Sequence, residues 1–275
     1  MKLRVLGLSK IVFLTLHLLV MVFPLYWIVI TSLKPQRDIF SFPLKYWPER
    51  MSLENYINIF KISKFHVYIG NSLLISILAA SIVLIIAILS AYVLARFTFR
   101  GHKQIMLAFF ATQMLPGFVA LAPLYFMMSS MNLINSRISL LLMYTVILIP
   151  FSTIMLRGFF QRIPSSLEEA AMIDGCSRWS ALIRVVIPVM LPGIASTFIF
   201  AFVQNWNELF LAVMFIDSDA LKTLPVAMNS FILKFDVDWG AMSAGTVLSI
   251  IPTVLLFAFA QRFIVEGLTQ GAEKG

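Results

Sequence analysis

The stretch from Ser72 to Ala95, SLLISILAASIVLIIAILSAYVLA, contains no charged residue in 24 positions. A helix rises about 1.5 Å per residue, so a run of this length crosses the hydrocarbon core of a bilayer. Inside hydrocarbon every peptide group needs a partner, which only helices and closed barrels supply. The run has no apolar and polar alternation, which excludes a barrel strand. It therefore predicts a membrane-spanning helix.

Further apolar blocks of spanning length follow the same pattern. They cover residues 11–33, 105–128, 138–156, 191–216 and 241–264. The first block begins after Lys2, Arg4 and Lys10, as a secretion signal would, but it is too long and ends in Thr-Ser-Leu-Lys without a cleavage site. The sequence therefore predicts an all-α membrane protein with six transmembrane helices in a single domain over residues 1–275.

Composition supports the membrane assignment. Apolar residues make up 60% of the chain and charged residues 12%, a ratio that a soluble globule of this size does not need. The net charge is +8, but Lys and Arg are scattered through short connections, so loops at a membrane explain the charge and nucleic acid is not needed. The single cysteine, Cys176, excludes an intrachain disulfide and is interpreted as an apolar filler.

The distribution of basic residues predicts the orientation. Twelve Lys and Arg residues lie on the side of the N-terminus in the six-span arrangement, and nine lie on the other side. Because cytoplasmic loops favour Lys and Arg, we expect both termini in the cytoplasm, with a cytoplasmic tail over residues 265–275.

Prolines within the spans indicate bends. Pro24, Pro116, Pro123 and Pro252 each free a backbone carbonyl, and each bend is either a hinge or a place where a neighbouring helix packs. Pro116 and Pro123 flank Gly117 in the third span, which makes that span the candidate for a mobile helix.

A polar segment over residues 161–189 separates the fourth and fifth spans. Pro164, Ser165 and Ser166 ahead of two acids predict a helix start with hydroxyl caps, and that helix runs to about Asp174. Gly175 supplies the positive φ of a turn, and a second short helix is predicted over residues 178–186, before Pro188.

This helix-turn-helix is interpreted in two ways. Ala170 and Ala171 beside Glu169 form a small acidic knob that fits a groove on a basic partner. Alternatively, the segment lies on lipid headgroups, although the first helix carries acids where a helix bound to lipid usually carries Lys or Arg.

The same segment resembles a family motif. Glu169-Ala170-Ala171, three residues, Gly175, nine residues, Val185, one residue, Ile187 and Pro188 are similar to the pattern EAA-x3-G-x9-I-x-L-P of binding-protein-dependent ABC importers. Val185 and Ile187 replace the Ile and Leu of the pattern. In that family the loop is a cytoplasmic coupling helix that docks in a cleft of the ATPase. The resemblance therefore implies ATPase coupling for Glu168, Glu169, Ala170, Ala171, Asp174, Gly175 and Pro188.

Other stretches are similar to the carbohydrate branch of this family, and to MalG-like subunits in particular. They are residues 31–34, 91–97, 205–208, 261–263 and 267–275. The resemblance implies a type I importer permease (MetI-like) fold and the import of a sugar. An oligosaccharide is expected, with glycerol 3-phosphate as the alternative.

The resemblance also implies partners. They are a MalF-like permease subunit, a cytoplasmic ATPase dimer and an extracytoplasmic sugar-binding protein. The tail would reach the ATPase through Gly267, Leu268, Thr269 and Gly271. No cofactor is expected on this chain, because ATP and Mg²⁺ would bind to the ATPase.

Polar groups interrupt the fifth span at Gln204, Asn205, Asn207 and Glu208. A carboxylate at depth costs about 2.5 to 3.5 kcal/mol on insertion scales, so Glu208 should face protein or water. Helical spacing places Gln204 and Glu208 on one face. These groups either line a sugar path or join this helix to a neighbour, and we favour the second role. Gln113 and Tyr125 are weaker candidates for the path. His17, His66 and His102 lack metal-ligand spacing, so no metal site is predicted.

The chain is not expected to be an enzyme. It contains no G-x-x-x-x-G-K-[ST] motif, so ATP hydrolysis would need a separate polypeptide. Two other functions remain open: an ion-coupled secondary transporter with Glu208 as the coupling acid, which usually shows paired repeats that are not visible here, and a membrane scaffold whose loop recruits a partner.

Overall fold

A computed structural model describes residues 2–62, 64–232 and 237–272, with the side chains of all of these except 2–9, 62, 118 and 262–272. Within these ranges the chain is mostly helical and contains no β-strand, only an isolated bridge between Ile232 and Val237. The all-α prediction is confirmed.

The helices follow the apolar blocks. In chain order they are α1 (Lys2–Ser32), α2 (Gln36–Ile39), α3 (Glu54–Ile62), α4 (Phe65–Arg96), α5 (His102–Met114), α6 (Leu121–Ser130), α7 (Arg137–Arg162), α8 (Ser166–Ile173), α9 (Arg178–Ala181), α10 (Ile187–Val189), α11 (Leu191–Trp206), α12 (Phe210–Phe215), α13 (Leu224–Asn229) and α14 (Trp239–Ala272). The chain divides into two compact units, Met1–His66 with Ala227–Ile251 and Val67–Val226 with Pro252–Gly275.

Several of these helices are long and apolar enough to cross a membrane. In the described residues they are Lys10–Ser32, Phe65–Arg96, Arg137–Arg162 and Trp239–Gln261. A fifth span results if Arg178–Val189 and Leu191–Trp206, which meet at 78°, are counted as one. The chain therefore has several spans, while the number six stays a prediction.

The third predicted span is not a continuous helix, so that expectation was wrong. α5 ends at Met114, a 3₁₀ turn covers Gly117–Ala120, and α6 begins at Leu121. Leu115 is extended, with φ −77° and ψ 128°, because the ring of Pro116 disfavours helical backbone in the residue before it. Pro123 lies in the first turn of α6, where no helical hydrogen bond needs its missing N–H.

The fifth predicted span is also interrupted, and its continuity was wrongly predicted. α11 ends at Trp206, and α12 begins at Phe210 after a short segment that is not helical. The break lies within the run of polar residues.

In the first unit, the chain after α1 folds back on that helix. The Lys34 ammonium is buried, donates to the Lys45 carbonyl at 2.5 Å and lies 4.6 Å from the centre of the Trp27 ring. The Asn55 amide donates to the carbonyls of Ser32 and Lys34 at 2.9 and 2.8 Å, which satisfies groups that the helix end leaves free. Burial lowers the pKa of Lys34, and Asp38 acts in the opposite direction.

Two apolar clusters lie among the described residues of the second unit. One joins α4, α6, α7 and α12, with Ile75, Ala79, Met128, Leu140, Met143, Tyr144, Leu211, Ala212, Phe215 and Ile216 buried. The other joins α4 and α7 to the polar segment that follows α7, with Ala87, Ala91, Tyr92, Leu156, Phe160, Leu182, Val186 and Met190 buried. This second cluster fixes the segment that carries the family motif.

Candidate functional site

The candidate site is a helical hairpin over residues 166–189, which we call the EAA hairpin. Its first arm is α8, and its second arm consists of α9, a π-helical turn over Leu182–Val186 and α10. The positions of both arms were predicted. The π turn was not, and the second arm continues beyond the predicted end to Val189.

The turn between the arms is a Schellman motif. The N–H of Cys176 donates to the Ala171 carbonyl at 2.9 Å, and the N–H of Gly175 donates to the Met172 carbonyl at 3.1 Å. Gly175 has φ +91°, which confirms the prediction of a positive φ at this position.

The start of α8 differs from the prediction, because Ser165 does not cap it. Ser165 has helical dihedrals, φ −62° and ψ −24°, and its side chain makes no capping hydrogen bond. A capping residue normally needs extended backbone to bring its hydroxyl to the next free N–H groups. On the second arm Ser177 is extended, and its Oγ accepts from the Ser180 N–H at 3.2 Å.

α8 has a buried face and an exposed face. Glu168 and Ala171 are buried, at 5% and 8% exposure. Glu169, Ala170, Ile173 and Asp174 are exposed. The two alanines therefore do not form one exposed knob, because Ala171 is buried against the protein whereas Ala170 is exposed. Only Ala170 lies on the face that carries Glu169.

A buried ion pair holds the first arm. Glu168 Oε1 accepts from Arg96 Nε at 2.6 Å, and Glu168 Oε2 accepts from the Tyr92 hydroxyl at 3.0 Å. The two charged side chains are 11% and 7% exposed. Removing one partner of such a pair typically costs about 3 to 5 kcal/mol, because the other charge stays buried. Glu168 therefore contacts its own chain, in contrast to the exposed Glu169.

The end of α4 is fastened to its surroundings by further contacts. The Leu94 carbonyl, one of the groups that a helix end leaves unpaired, accepts from Arg157 Nε at 3.1 Å and lies 2.9 Å from His102 Nε2. The Arg178 guanidinium lies 5.0 Å from the centre of the Phe97 ring. His102, to which the sequence analysis assigned no role, thus contacts the C-terminal end of α4.

Glu208 at the break in the fifth span has a structural environment. Its carboxylate accepts from the Tyr144 hydroxyl at 3.0 Å and from the N–H groups of Leu211 and Ala212 at 2.8 and 3.1 Å. It therefore caps α12 and joins it to α7. The prediction that Gln204 and Glu208 share a helical face is wrong, because α11 ends at Trp206 between them.

The remaining candidates for a sugar path differ in how far their side chains are buried in the protein. Gln113, Gln204 and Asn207 are exposed, whereas Asn205 is 4% exposed, with no partner for Nδ2 in the described part of the chain. Asn207 Nδ2 donates to the Val203 carbonyl at 2.8 Å. Tyr125 stacks on Phe215 with ring centres 6.5 Å apart, which brings α6 to α12.

The C-terminal tail is helical as far as the structure describes it. Gly267, Leu268, Thr269 and Gly271 lie in the last turns of α14, and their side chains are outside the described residues. Glu273, Lys274 and Gly275 are outside them entirely. Contact of this tail with an ATPase stays a prediction.

Sequence reasoning missed Tyr92, Arg96 and Tyr144 as members of these sites. Arg96 had a signal, since it is the basic residue that ends an uncharged run and lies in the stretch 91–97 that resembles the carbohydrate branch. Tyr144 had none, because its partner Glu208 is 64 residues away.

Comparison with known proteins identifies the class. Residues 83–270 match the family of binding-protein-dependent transport system inner membrane components, and the chain belongs to that family. It is therefore a multi-pass permease component, as the EAA motif predicted.

Individual relatives are similar over nearly their whole length. The chain is 38% identical to the sulfoquinovosyl glycerol transport system permease protein SmoH of Agrobacterium fabrum, over 92% of this chain and 89% of that protein. It is 30% identical to the trehalose/maltose transport system permease protein MalG of Thermococcus litoralis, over 94% and 93%. The resemblance to MalG-like permeases is thus confirmed.

A solved structure has the same fold. A chain of a bacterial ABC transporter that imports the acidic polysaccharide alginate superposes with a TM-score of 0.82, covering 94% of this chain and 96% of the other at 21% identity. This match supports the importer permease fold.

Proposed function

We propose that this chain is a permease subunit that couples a separate ATPase to the import of a sugar. It would pair with a MalF-like permease above a cytoplasmic ATPase dimer and receive the sugar from an extracytoplasmic binding protein. Both termini and the EAA hairpin would then lie in the cytoplasm. The observation that carries this proposal is the exposed acidic face of α8 on a hairpin whose other face is firmly held.

The exposed face has the properties of a docking surface. Glu169 and Ala170 are exposed, and the Ile173 side chain is 86% exposed. An apolar side chain next to a free carboxylate suits a cleft with an apolar wall and a basic residue. Leu182 and Val186 of the second arm are buried against α4 and α7, and the exposed face of the first arm carries acids, which together argue against the alternative of a segment lying on the headgroups.

An oligosaccharide is the proposed substrate. The similar permeases serve sulfoquinovosyl glycerol and trehalose or maltose, and the similar solved transporter imports alginate. Exposed amides at Gln113, Gln204 and Asn207 can donate to and accept from sugar hydroxyls. Glycerol 3-phosphate would favour Arg or Lys near its phosphate, and residues 204–208 offer amides and a carboxylate instead.

Reversal of the exposed charge tests the proposal. We expect Glu169→Lys to lower uptake of labelled sugar at least tenfold, because a basic groove would repel the new ammonium at a cost of more than about 1.4 kcal/mol. Cells with the intact importer operon are the assay, and membrane content of the variant is measured by immunoblot.

The matched control is Glu49→Lys, which reverses an acid that is 73% exposed and lies outside the hairpin. It should leave uptake unchanged. Wild-type uptake in Glu169→Lys at equal membrane content would contradict the proposal.

A further inference from the structure

The two adjacent acids of α8 have different environments. Glu169 is exposed, whereas Glu168 is buried against Arg96, and neither side chain of that pair exceeds 11% exposure. Packed apolar residues of similar volume often stabilise a protein as well as a buried ion pair does. Stability alone therefore does not explain why a charged pair occupies this position. The property that apolar residues could not supply is the fixed direction of its hydrogen bonds.

The pair joins three chain segments at one guanidinium. Arg96 is the last residue of α4, and its Nε donates to Glu168 in the first turn of α8 at 2.6 Å. Its Nη2 donates to the carbonyl of Ile163, the residue after α7, at 2.9 Å. The planar guanidinium fixes both directions at once, which a lysine ammonium cannot do.

A second contact ties the other arm to the same end of α4. Arg178 begins α9 and lies over the ring of Phe97, directly after Arg96. Both arms are therefore attached where α4 ends. The apolar contacts of Leu182 and Val186 hold the second arm without a preferred direction, whereas charged hydrogen bonds also fix the orientation of their partners.

We propose that Arg96 and Glu168 are positioning residues that make the EAA hairpin and the end of α4 move as one body. This inference rests on the proposed function, in which an ATPase displaces the hairpin. α4 has 32 residues, and at its other half Ile75 and Ala79 share a buried cluster with Leu211 and Ala212 of α12. The displacement of the hairpin would thereby reach the interrupted fifth span.

The test uses the full complex in proteoliposomes, with sugar uptake and ATP hydrolysis measured together. Glu168→Gln keeps the shape and an acceptor oxygen but removes the negative charge. Arg96→Lys keeps the positive charge but removes the planar guanidinium that makes both hydrogen bonds. We expect both variants to bind the ATPase and hydrolyse ATP as wild type does, while sugar imported per ATP falls by roughly tenfold. The double reversal Arg96→Glu with Glu168→Arg should recover part of that loss.

A distance measurement separates positioning from a merely structural role. Spin labels are placed at Thr98→Cys and Ser166→Cys in a Cys176→Ser background, at exposed positions beside the two ends of the pair. In the chain with the intact pair, we expect a narrow distribution of distances between the two labels, and ATP should not change it. In Glu168→Gln we expect this distribution to be broader. Glu49→Gln, which removes an exposed carboxylate elsewhere, should resemble the intact chain.

Each outcome decides between the proposals. The positioning role would be overturned by wild-type sugar import per ATP in Glu168→Gln, by an unchanged distance distribution, or by loss of ATPase binding in that variant, which is the effect that the proposed docking surface predicts for Glu169→Lys. If Glu169→Lys also left ATPase binding and uptake intact, the proposed function itself would fail. A neutral Glu168→Gln beside an inactive Glu169→Lys would remove only the positioning role.

Discussion

At the scale of single residues, Gly193 lies where α11 closely approaches α7. A Cβ added at Gly193 would lie 2.6 Å from Cγ of the Phe159 ring, well inside van der Waals contact. The Arg162 guanidinium lies 5.6 Å from the centre of the Phe159 ring, so a shift of the ring would also weaken this cation–π contact. We expect Gly193→Ala to destabilise the protein by about 1 to 3 kcal/mol through overpacking, measured as a lower melting temperature in detergent.

The matched control is Gly158→Ala on α7. A Cβ there would meet nothing within 4 Å, and its φ is not positive. Alanine is the better helix former by about 0.5 to 1 kcal/mol, so this variant should melt at the same temperature or slightly higher. Equal melting of the Gly193→Ala protein and the parent would mean that the ring moves aside without cost.

Residue types alone could not separate Glu168 from Glu169. The motif placed both in the coupling segment, and neighbouring acids look alike in a sequence. Their difference depends on Arg96, which lies 72 positions away. Helical geometry could have predicted that one acid faces inward, but the partner that makes burial of the carboxylate tolerable is a property of the tertiary structure.

At the scale of elements, α12 depends on the carboxylate of Glu208. This short helix starts after an irregular segment, and its first N–H groups are satisfied by Glu208. We expect Glu208→Ala to destabilise the protein by about 1 to 3 kcal/mol, because the capping bonds vanish and the Tyr144 hydroxyl is left buried without its acceptor. The melting temperature and protease sensitivity near residue 209 would both report this change.

Tyr144→Phe is the control for the capping effect. It removes the bond between α7 and Glu208 and leaves both backbone bonds of the cap in place. It should cost less than Glu208→Ala and leave protease sensitivity near residue 209 unchanged. Equal effects of the two variants would show that the bond between the helices, rather than the cap, holds this region.

Element boundaries were predictable where the signal is local. Pro164 and Gly175 delimit α8 within a residue or two, because both act on the backbone at their own positions. A bend near Pro116 was also predicted, but the complete interruption of the helix between Met114 and Leu121 was not. The break after Trp206 has no proline or glycine, and nothing local in the sequence shows that Glu208 caps a new helix there, so a continuous span was predicted.

At the scale of the whole molecule, composition and hydropathy were sufficient to predict an all-α membrane protein, whereas the permease class was predicted from the EAA motif. Hydropathy cannot distinguish a side chain that faces lipid from one that faces protein, and the structure makes the difference plain. In the described part of α1 none of the spanning window is buried, whereas 44% of the window in α7 is. The exposed apolar side chains of α1 require lipid or another subunit to cover them.

The source of energy for transport is the prediction that tests the molecule as a whole. An ion-coupled carrier needs an acid that gains and loses ions during transport, and Glu208 was the candidate. Its carboxylate instead accepts hydrogen bonds from two backbone N–H groups and a tyrosine hydroxyl, so it is already occupied in capping α12 and joining it to α7. We therefore expect sugar uptake to be unaffected when a protonophore collapses the proton gradient at constant ATP, and to stop when ATP is depleted with the gradient intact. The two conditions are compared in the same cells with labelled sugar. Uptake that follows the gradient instead of ATP would identify a secondary transporter and refute the coupling role of the EAA hairpin.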